Sequence, residues 1–294
     1  MDSLLWEYEG VPLMKNANPE EVLKNIKDFE VREDDIWLCT YPKSGTHWLM
    51  QIIQLLRFDS DFEKVLERGF KDSQLLEHFF PTPITTQYGT TSYGYKYYEQ
   101  LPSPRLVVTH LPLKLLPRQV FEKRAKVIYV ARNPKDTAVS TYHFRKPMFK
   151  KVNIEVDWNQ LIQFFMTGKV PCGQWATHLL PFWNRRHEDN VLFLKFEDMK
   201  KNTIDNVRKV AEFTGLPTSE TVLQKTVENS SAKKTKVVMD NGVSDAAKQV
   251  GVGNFVRKGI VGDWKCTFTV SQSAAYDEII RNYLKGTGLV FEYE

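Results

Sequence analysis

The chain has 294 residues, enough for one large α/β domain or two small ones. With 42% hydrophobic and 26% charged residues it has the composition of a globular protein, which sets aside disordered and fibrous classes. A net charge of +4 is too small to argue for nucleic acid, yet it suits a pocket for a polyanionic small molecule. No stretch approaches the roughly 18 apolar residues of a membrane span, and no basic leader precedes a long apolar run at the N-terminus. Cys39, Cys172 and Cys266 form no C-x-x-C pair. Neither a disulfide framework nor a metal site is therefore expected, and the expected setting is reducing and cytoplasmic.

Residues 1–18 read as an irregular arm. Asn18, Pro19 and Glu21 read as the cap, first residue and box partner of a helix whose Val22, Leu23, Ile26 and Phe29 share a face. Ile36 to Thr40 is a continuous apolar run, as in a strand buried on both faces. A tight loop from Tyr41 to Thr46 then leads into an apolar helix from His47 to Leu56. Phe58 to Phe80 predicts two short helices. Pro81 to Pro104 is dense in Tyr, Thr, Gly and Pro and reads as a long loop. Its tyrosines either form a lid over a small substrate or pack down onto the core. Arg105 to Thr109, Lys126 to Ala131 and Val191 to Phe196 read as further strands. Helices are expected from about Asp136 and over 157–167, 173–187, 203–213, 218–228 and 271–284. Residues 229–262 read mostly as loop. Strands alternating with helices predict an α/β fold: a single domain over 1–294, with a central parallel sheet and helices on both faces.

In an open parallel sheet, ligands bind beyond the carboxyl ends of the strands. Three strand ends carry candidate chemistry. The first ends in Tyr-Pro-Lys43-Ser-Gly-Thr and a helix, an arrangement that aims main-chain N–H groups, a helix N-terminus and one ammonium at an anion such as phosphate. Lys43 precedes the only glycine of this loop, so it is not the usual triphosphate loop. The second strand ends at His110. The third ends at Arg132, with Ser140 about two turns into the next helix. The anion loop alone would also fit a nucleoside-triphosphate-dependent small-molecule kinase, or a nucleotide binder without catalysis. Lys233, Lys234 and Lys236 read as a solvated face.

The motif Y-P-K-S-G-T-x-W resembles the 5′-phosphosulfate loop of the cytosolic sulfotransferases. Arg132-Asn133-Pro134-Lys135-Asp136 with Ser140 resembles that family's 3′-phosphate motif, and Arg257 to Lys265 resembles its R-K-G-x-x-G-D-W-K signature. Thr109-His110-Leu111-Pro112 resembles the segment with the catalytic histidine, and Phe196-Glu197-Asp198-Met199 is similar to Y-E-D-M. Gly173, Trp175, His178 and Trp183 echo a further pattern of the family.

The resemblance implies a P-loop-like domain that binds 3′-phosphoadenosine 5′-phosphosulfate (PAPS) and transfers its sulfonate group to a hydroxyl or amine of a small acceptor, such as a phenol, steroid or alcohol. It implies that Lys43 and the loop N–H groups of Ser44, Gly45, Thr46, His47 and Trp48 hold the 5′-phosphate, with Lys43 also stabilising the leaving oxygen. Trp48 and Phe196 would offer rings to adenine. Arg132, Ser140, Arg257 and Lys258 would bind the 3′-phosphate, with Gly259 letting the backbone approach. His110 would be the general base, and no metal is implied.

The chain departs from the family pattern at His47 (usually Thr), Val108 (usually Lys), Phe196 (usually Tyr) and Ala232 (usually Phe). The family's dimer pattern runs through Lys265, Thr269 and Val270 but fails at Ala274, which leaves a homodimer open. No nucleic-acid or membrane partner is expected. The acceptor pocket is expected from loops such as 81–104 and 235–255.

Overall fold

The structure, a computed structural model, describes residues 4–69, 74–151, 153–241, 243 and 255–294. In chain order these form β1 (Leu5–Tyr8), β2 (Val11–Met14), α1 (Glu20–Lys27), β3 (Ile36–Thr40), α2 (Thr46–Arg57), α3 (Phe62–Arg68), β4 (Phe79–Thr86), β5 (Gly89–Tyr93), α4 (Gly94–Gln100), β6 (Leu106–Thr109), α5 (Gln119–Glu122), β7 (Lys126–Ala131), α6 (Pro134–Lys151), α7 (Trp158–Met166), α8 (Trp175–Asn184), β8 (Val191–Lys195), α9 (Phe196–Lys201), α10 (Thr203–Thr214), α11 (Glu220–Asn229), α12 (Ala232–Asp240) and α13 (Val270–Leu284). Two units arise from this chain.

The first unit comprises residues 1–42, 74–130 and 164–193. Its sheet has the strand order β6-β3-β7-β8. β3 runs parallel to both neighbours, with Leu38 opposite Val108 on one side and Ile128 on the other. Every residue of β3 is buried, which is why its sequence is apolar without alternation. Parallel pairing puts the carboxyl ends of β3, β6 and β7 at one edge of the sheet. Arg105, just before β6, is buried, and its guanidinium forks onto Asp35 with Nη2–Oδ2 of 2.6 Å and Nε–Oδ1 of 2.7 Å. A buried pair of this kind tolerates neither partner alone.

Four expectations are corrected in this unit. The arm is a hairpin: β1 pairs antiparallel with β2, Leu5 opposite Met14, and Val11 and Leu13 are buried. Asn18 does not cap α1. Its side chain accepts from Met14 N (3.2 Å) and donates to Glu77 O (2.9 Å), and α1 starts after Pro19 with no side-chain cap. The second short helix before Phe80 is instead a turn, joined to β6 where Leu76 N donates to Val108 O (2.9 Å). The tyrosine-rich loop is the β4–β5 hairpin followed by α4, on which Tyr95, Tyr97 and Tyr98 are buried. Those three tyrosines belong to the core.

The second unit comprises residues 43–73, 131–163 and 194–294. α2 packs against α10, α11 and α12, burying Leu49, Ile52, Ile53, Leu55 and Leu56. Gln51 Nε2 on α2 donates to Asn229 O (2.7 Å), tying it to the end of α11. The stretch read as loop after residue 229 begins with α12, a helix capped by Ser231 Oγ, with Thr235, Val238 and Met239 buried. Residues 244–254 of the expected acceptor loop lie outside the described residues. Among the described residues, no helix is long and apolar enough to cross a membrane.

Candidate active site

The anion loop is built by backbone conformation. Lys43 (φ 69°) and Gly45 (φ 111°) are both left-handed, so the chain reverses tightly before α2. Gly45 is the N-cap of α2 and supplies no capping side chain, and the first turn of the helix holds no acidic residue. The positive end of a 12-residue helix is thus left without a side-chain counter-charge. Ser44 is fully buried, and its hydroxyl has no hydrogen-bond partner among the described residues. An oxyanion at the loop would satisfy it. Lys43 Nζ donates to Phe255 O (3.1 Å) and lies 4.0 Å over the Phe144 ring. Burial, reinforced by the like charges of Arg132 and Arg145, lowers the Lys43 pKa from 10.5 to about 7.

Arg132 joins this loop to the 257–262 segment. Its Nη1 donates to Lys43 O (3.3 Å) and its Nη2 to Ile260 O (3.0 Å). The guanidinium lies 4.5 Å over Phe196, which meets Trp48 edge-on at 5.4 Å, and Lys200 Nζ lies 4.8 Å over Trp48. Asp136, one turn beyond Arg132, accepts from Gly262 N, Trp264 N and Asn133 Nδ2, each at 2.9 Å. Arg257 and Lys258 both pair with the buried carboxylate of Asp263. Gly259 is left-handed (φ 67°), and a Cβ there would lie 3.0 Å from the Ala232 methyl. The turn therefore needs glycine on two counts. Glu197 accepts from Asn133 N (2.8 Å), and burial raises its pKa to about 7.

Three motifs far apart in sequence thus meet in this unit: the Lys43 loop, the Arg132–Asp136 turn and the 257–265 segment. Thr46 opens α2, and the His47 ring packs on Phe255 at 4.7 Å. Ser140 is half-buried on α6, with no bond to Arg132, Arg257 or Lys258. Sequence reasoning missed His143, which stands three residues after Ser140 on the same helix face. Burial and the charges of Arg257, Lys146 and Lys258 lower its pKa. The helical spacing from Ser140 was the available signal.

His110 belongs to the first unit and directly follows β6. Its Nδ1 lies 2.9 Å from Thr40 O and 3.0 Å from Thr40 Oγ1. A carbonyl only accepts, so that bond assigns the proton to Nδ1 and the basic lone pair to Nε2. His110 N donates to Glu77 Oε1 (2.9 Å), and His110 O accepts from His178 Nε2 (2.9 Å). His178 Nδ1 must then accept from Tyr129 Oη (2.9 Å). Burial lowers the His178 pKa to about 4, which keeps the ring neutral for both bonds. Glu77 was also missed, although a single acid inside Leu75-Leu76-Glu77-His78-Phe79 is a signal. Val108 is fully buried in β6.

Residues 33–288 match the sulfotransferase domain profile. Sulfotransferase 1C2 of Oryctolagus cuniculus is 37% identical over 290 residues, covering 98% of this chain and 95% of the relative. Sulfotransferase 1A1 of Canis lupus familiaris is 36% identical over 288 residues, covering 96% and 94%. Among solved structures, mouse sulfotransferase SULT7A1 complexed with PAP superposes with a TM-score of 0.76 at 29% identity, over 97% of this chain and 96% of that one. Retinol dehydratase, in complex with androsterone and inactive cofactor PAP, shares the fold with a TM-score of 0.81 at 24% identity, over 98% and 91%. The fold is α/β, with a central parallel sheet flanked by helices. The chain belongs to the sulfotransferase family, whose members move a sulfonate group from PAPS to a small-molecule acceptor.

Proposed function

We propose that this chain works as one domain over 1–294 and transfers the sulfonate of PAPS to a hydroxyl or amine of a small organic acceptor. The observation that carries the proposal is the junction made by Arg132 and Asp136. Through Lys43 O, Ile260 O, Gly262 N and Trp264 N they join the three anion motifs into one cationic surface. The residues fit the cofactor, because the buried Ser44 hydroxyl requires an acceptor or donor and Gly259 allows close backbone approach. The PAP held by the mouse relative supports the same nucleotide here.

Lys43 and the N–H groups of Ser44 to Trp48 hold the 5′-phosphate, while Arg132, Ser140, Arg257 and Lys258 hold the 3′-phosphate. Trp48 and Phe196 would offer their rings to adenine. PAPS, when bound, supplies the sulfonate. With it bound, His110 Nε2 would take the acceptor proton and the Lys43 ammonium would stabilise the leaving phosphate. A cytosolic setting belongs to the proposal, supported by three cysteines that form no disulfide. So does a homodimer through the Lys265–Val270 segment, where Val270 is 89% exposed.

Each charge-assisted bond to the 3′-phosphate contributes roughly 1.5–3 kcal/mol. PAP should therefore raise the melting temperature well above the shift given by ADP or ATP at equal concentration. Equal shifts for all three would overturn the proposal and favour the kinase reading.

A further inference from the structure

Glu77 sits in the turn before β4, and this turn is stitched to β6. Leu76 N donates to Val108 O (2.9 Å), Val108 N donates to Tyr98 Oη (3.1 Å), and Tyr98 Oη donates to Gln74 O (2.5 Å). Asn18 Nδ2 fixes Glu77 O at 2.9 Å. The carboxylate that this frame holds is 3% exposed. Its oxygens go to one dipeptide: Oε1 accepts His110 N–H (2.9 Å) and Oε2 accepts the Thr109 hydroxyl (2.7 Å). Burying a carboxylate is unfavourable, and neutral donors compensate for it less well than a cation. Stability alone does not account for an acid at this position.

The consequence lies at the His110 ring. Thr40 offers Nδ1 two partners of opposite character, a carbonyl at 2.9 Å and a hydroxyl at 3.0 Å. The carbonyl selects the tautomer with a basic Nε2. The hydroxyl can donate, and would then select the tautomer with hydrogen on Nε2, which cannot take a proton. The two distances, 2.9 and 3.0 Å, are nearly equal, so a small shift of the His110 backbone would favour one partner over the other. Glu77 grips the N–H of His110 and His178 grips its carbonyl, which belongs to the following peptide, so the backbone on either side of His110 is held and that shift is resisted.

We propose that Glu77 is the positioning residue of His110: its two carboxylate oxygens fix the Thr109–His110 peptide so that Nδ1–H meets Thr40 O and Nε2 is presented as the base. The inference rests on reading His110 as the general base. It assigns Glu77 a geometric role, so reach should matter more than charge.

Glu77→Gln keeps the reach and loses the charge: its oxygen can accept His110 N–H and its amide can donate to Thr109 Oγ1. Glu77→Asp keeps the charge and loses the reach. The experiment records ring nitrogen shifts of His110 in the full-length protein, together with PAP affinity, kcat and KM. Glu77→Gln should keep the Nδ1–H pattern and a kcat within ~3-fold of wild type. Glu77→Asp should show mixed tautomers and a kcat lowered ~10- to 100-fold, with PAP affinity little changed. If Glu77→Asp keeps the ring pattern and kcat while Glu77→Gln loses both, the proposal is overturned. Should Glu77→Asp fail to fold, loss of the Nδ1–H pattern in Glu77→Gln overturns it alone. A changed ring pattern with undiminished kcat would uphold the positioning and remove His110 as general base instead.

Discussion

Lys43 makes a prediction that depends on its surroundings in the second unit. Burial and two neighbouring guanidinium groups lower its pKa from 10.5 to about 7. A lysine of that pKa holds ~0.5 of its proton at pH 7 and ~0.1 at pH 8. A phosphate dianion at the loop returns the pKa towards its ordinary value, so binding draws a proton from solvent. The expected uptake per PAP is ~0.1 proton at pH 6, ~0.5 at pH 7 and ~0.9 at pH 8. By linkage, PAP affinity should weaken as pH rises above about 7, approaching ~10-fold per pH unit until the ordinary lysine range. Calorimetric titration with PAP in buffers of different ionisation enthalpy measures the proton count. Glu197 titrates nearby and adds its own contribution. The quantity that tests the argument is therefore the difference between wild type and Lys43→Met. That variant should lose most of the uptake at pH 8 and weaken PAP binding ~10- to 100-fold. An uptake near zero at pH 8 in the wild type, or the same uptake in Lys43→Met, would refute the reasoning.

Asp136→Ala takes the acceptor from the part-buried N–H groups of Gly262 and Trp264, leaves the buried Asn133 amide with Glu197 alone, and removes a carboxylate 3.8 Å from Arg132. It should lose about 3 kcal/mol or more in urea unfolding and weaken PAP binding, whereas an unchanged midpoint would contradict the junction. Burial raises the Glu77 carboxyl from 4.5 to about 7, so the folded chain holds this proton more tightly than the unfolded one across that window. Stability should then fall as pH rises through it, by up to roughly 3 kcal/mol, and Glu77→Gln should remove that fall. Parallel pH–urea profiles for the two proteins would contradict the sign.

The sheet was legible because β3, β6 and β7 are short apolar runs that end in chemistry-bearing residues. β3 and β7 keep their expected bounds, Ile36–Thr40 and Lys126–Ala131. The hairpins were not legible. In β2 and β4, Pro12, Pro81 and Pro83 argue against strand, yet each sheet has only two strands and prolines are tolerated at an edge. α12 was hidden by its lysines, while Thr235, Val238 and Met239 mark its buried face. Asn18 looked like a cap because local spacing says nothing of Glu77, whose carbonyl lies 59 residues away in sequence and takes its side-chain donor. In the site, the residues proposed for the nucleotide were readable as motifs. The partners of those residues were harder to read: Asp136 holds the 257–265 segment through main-chain N–H groups, and Glu77 shows in the sequence only as a single acid in an apolar run.

Single-turnover transfer from sulfur-labelled PAPS to a panel of phenols, alcohols and steroids, by the wild type and His110→Ala, tests the central claim most directly. The wild type should label at least one acceptor. His110→Ala should transfer ~100- to 10,000-fold more slowly while binding PAP with wild-type affinity. Equally fast transfer without the His110 ring, or no labelled acceptor from a wild type that binds PAP, would contradict it.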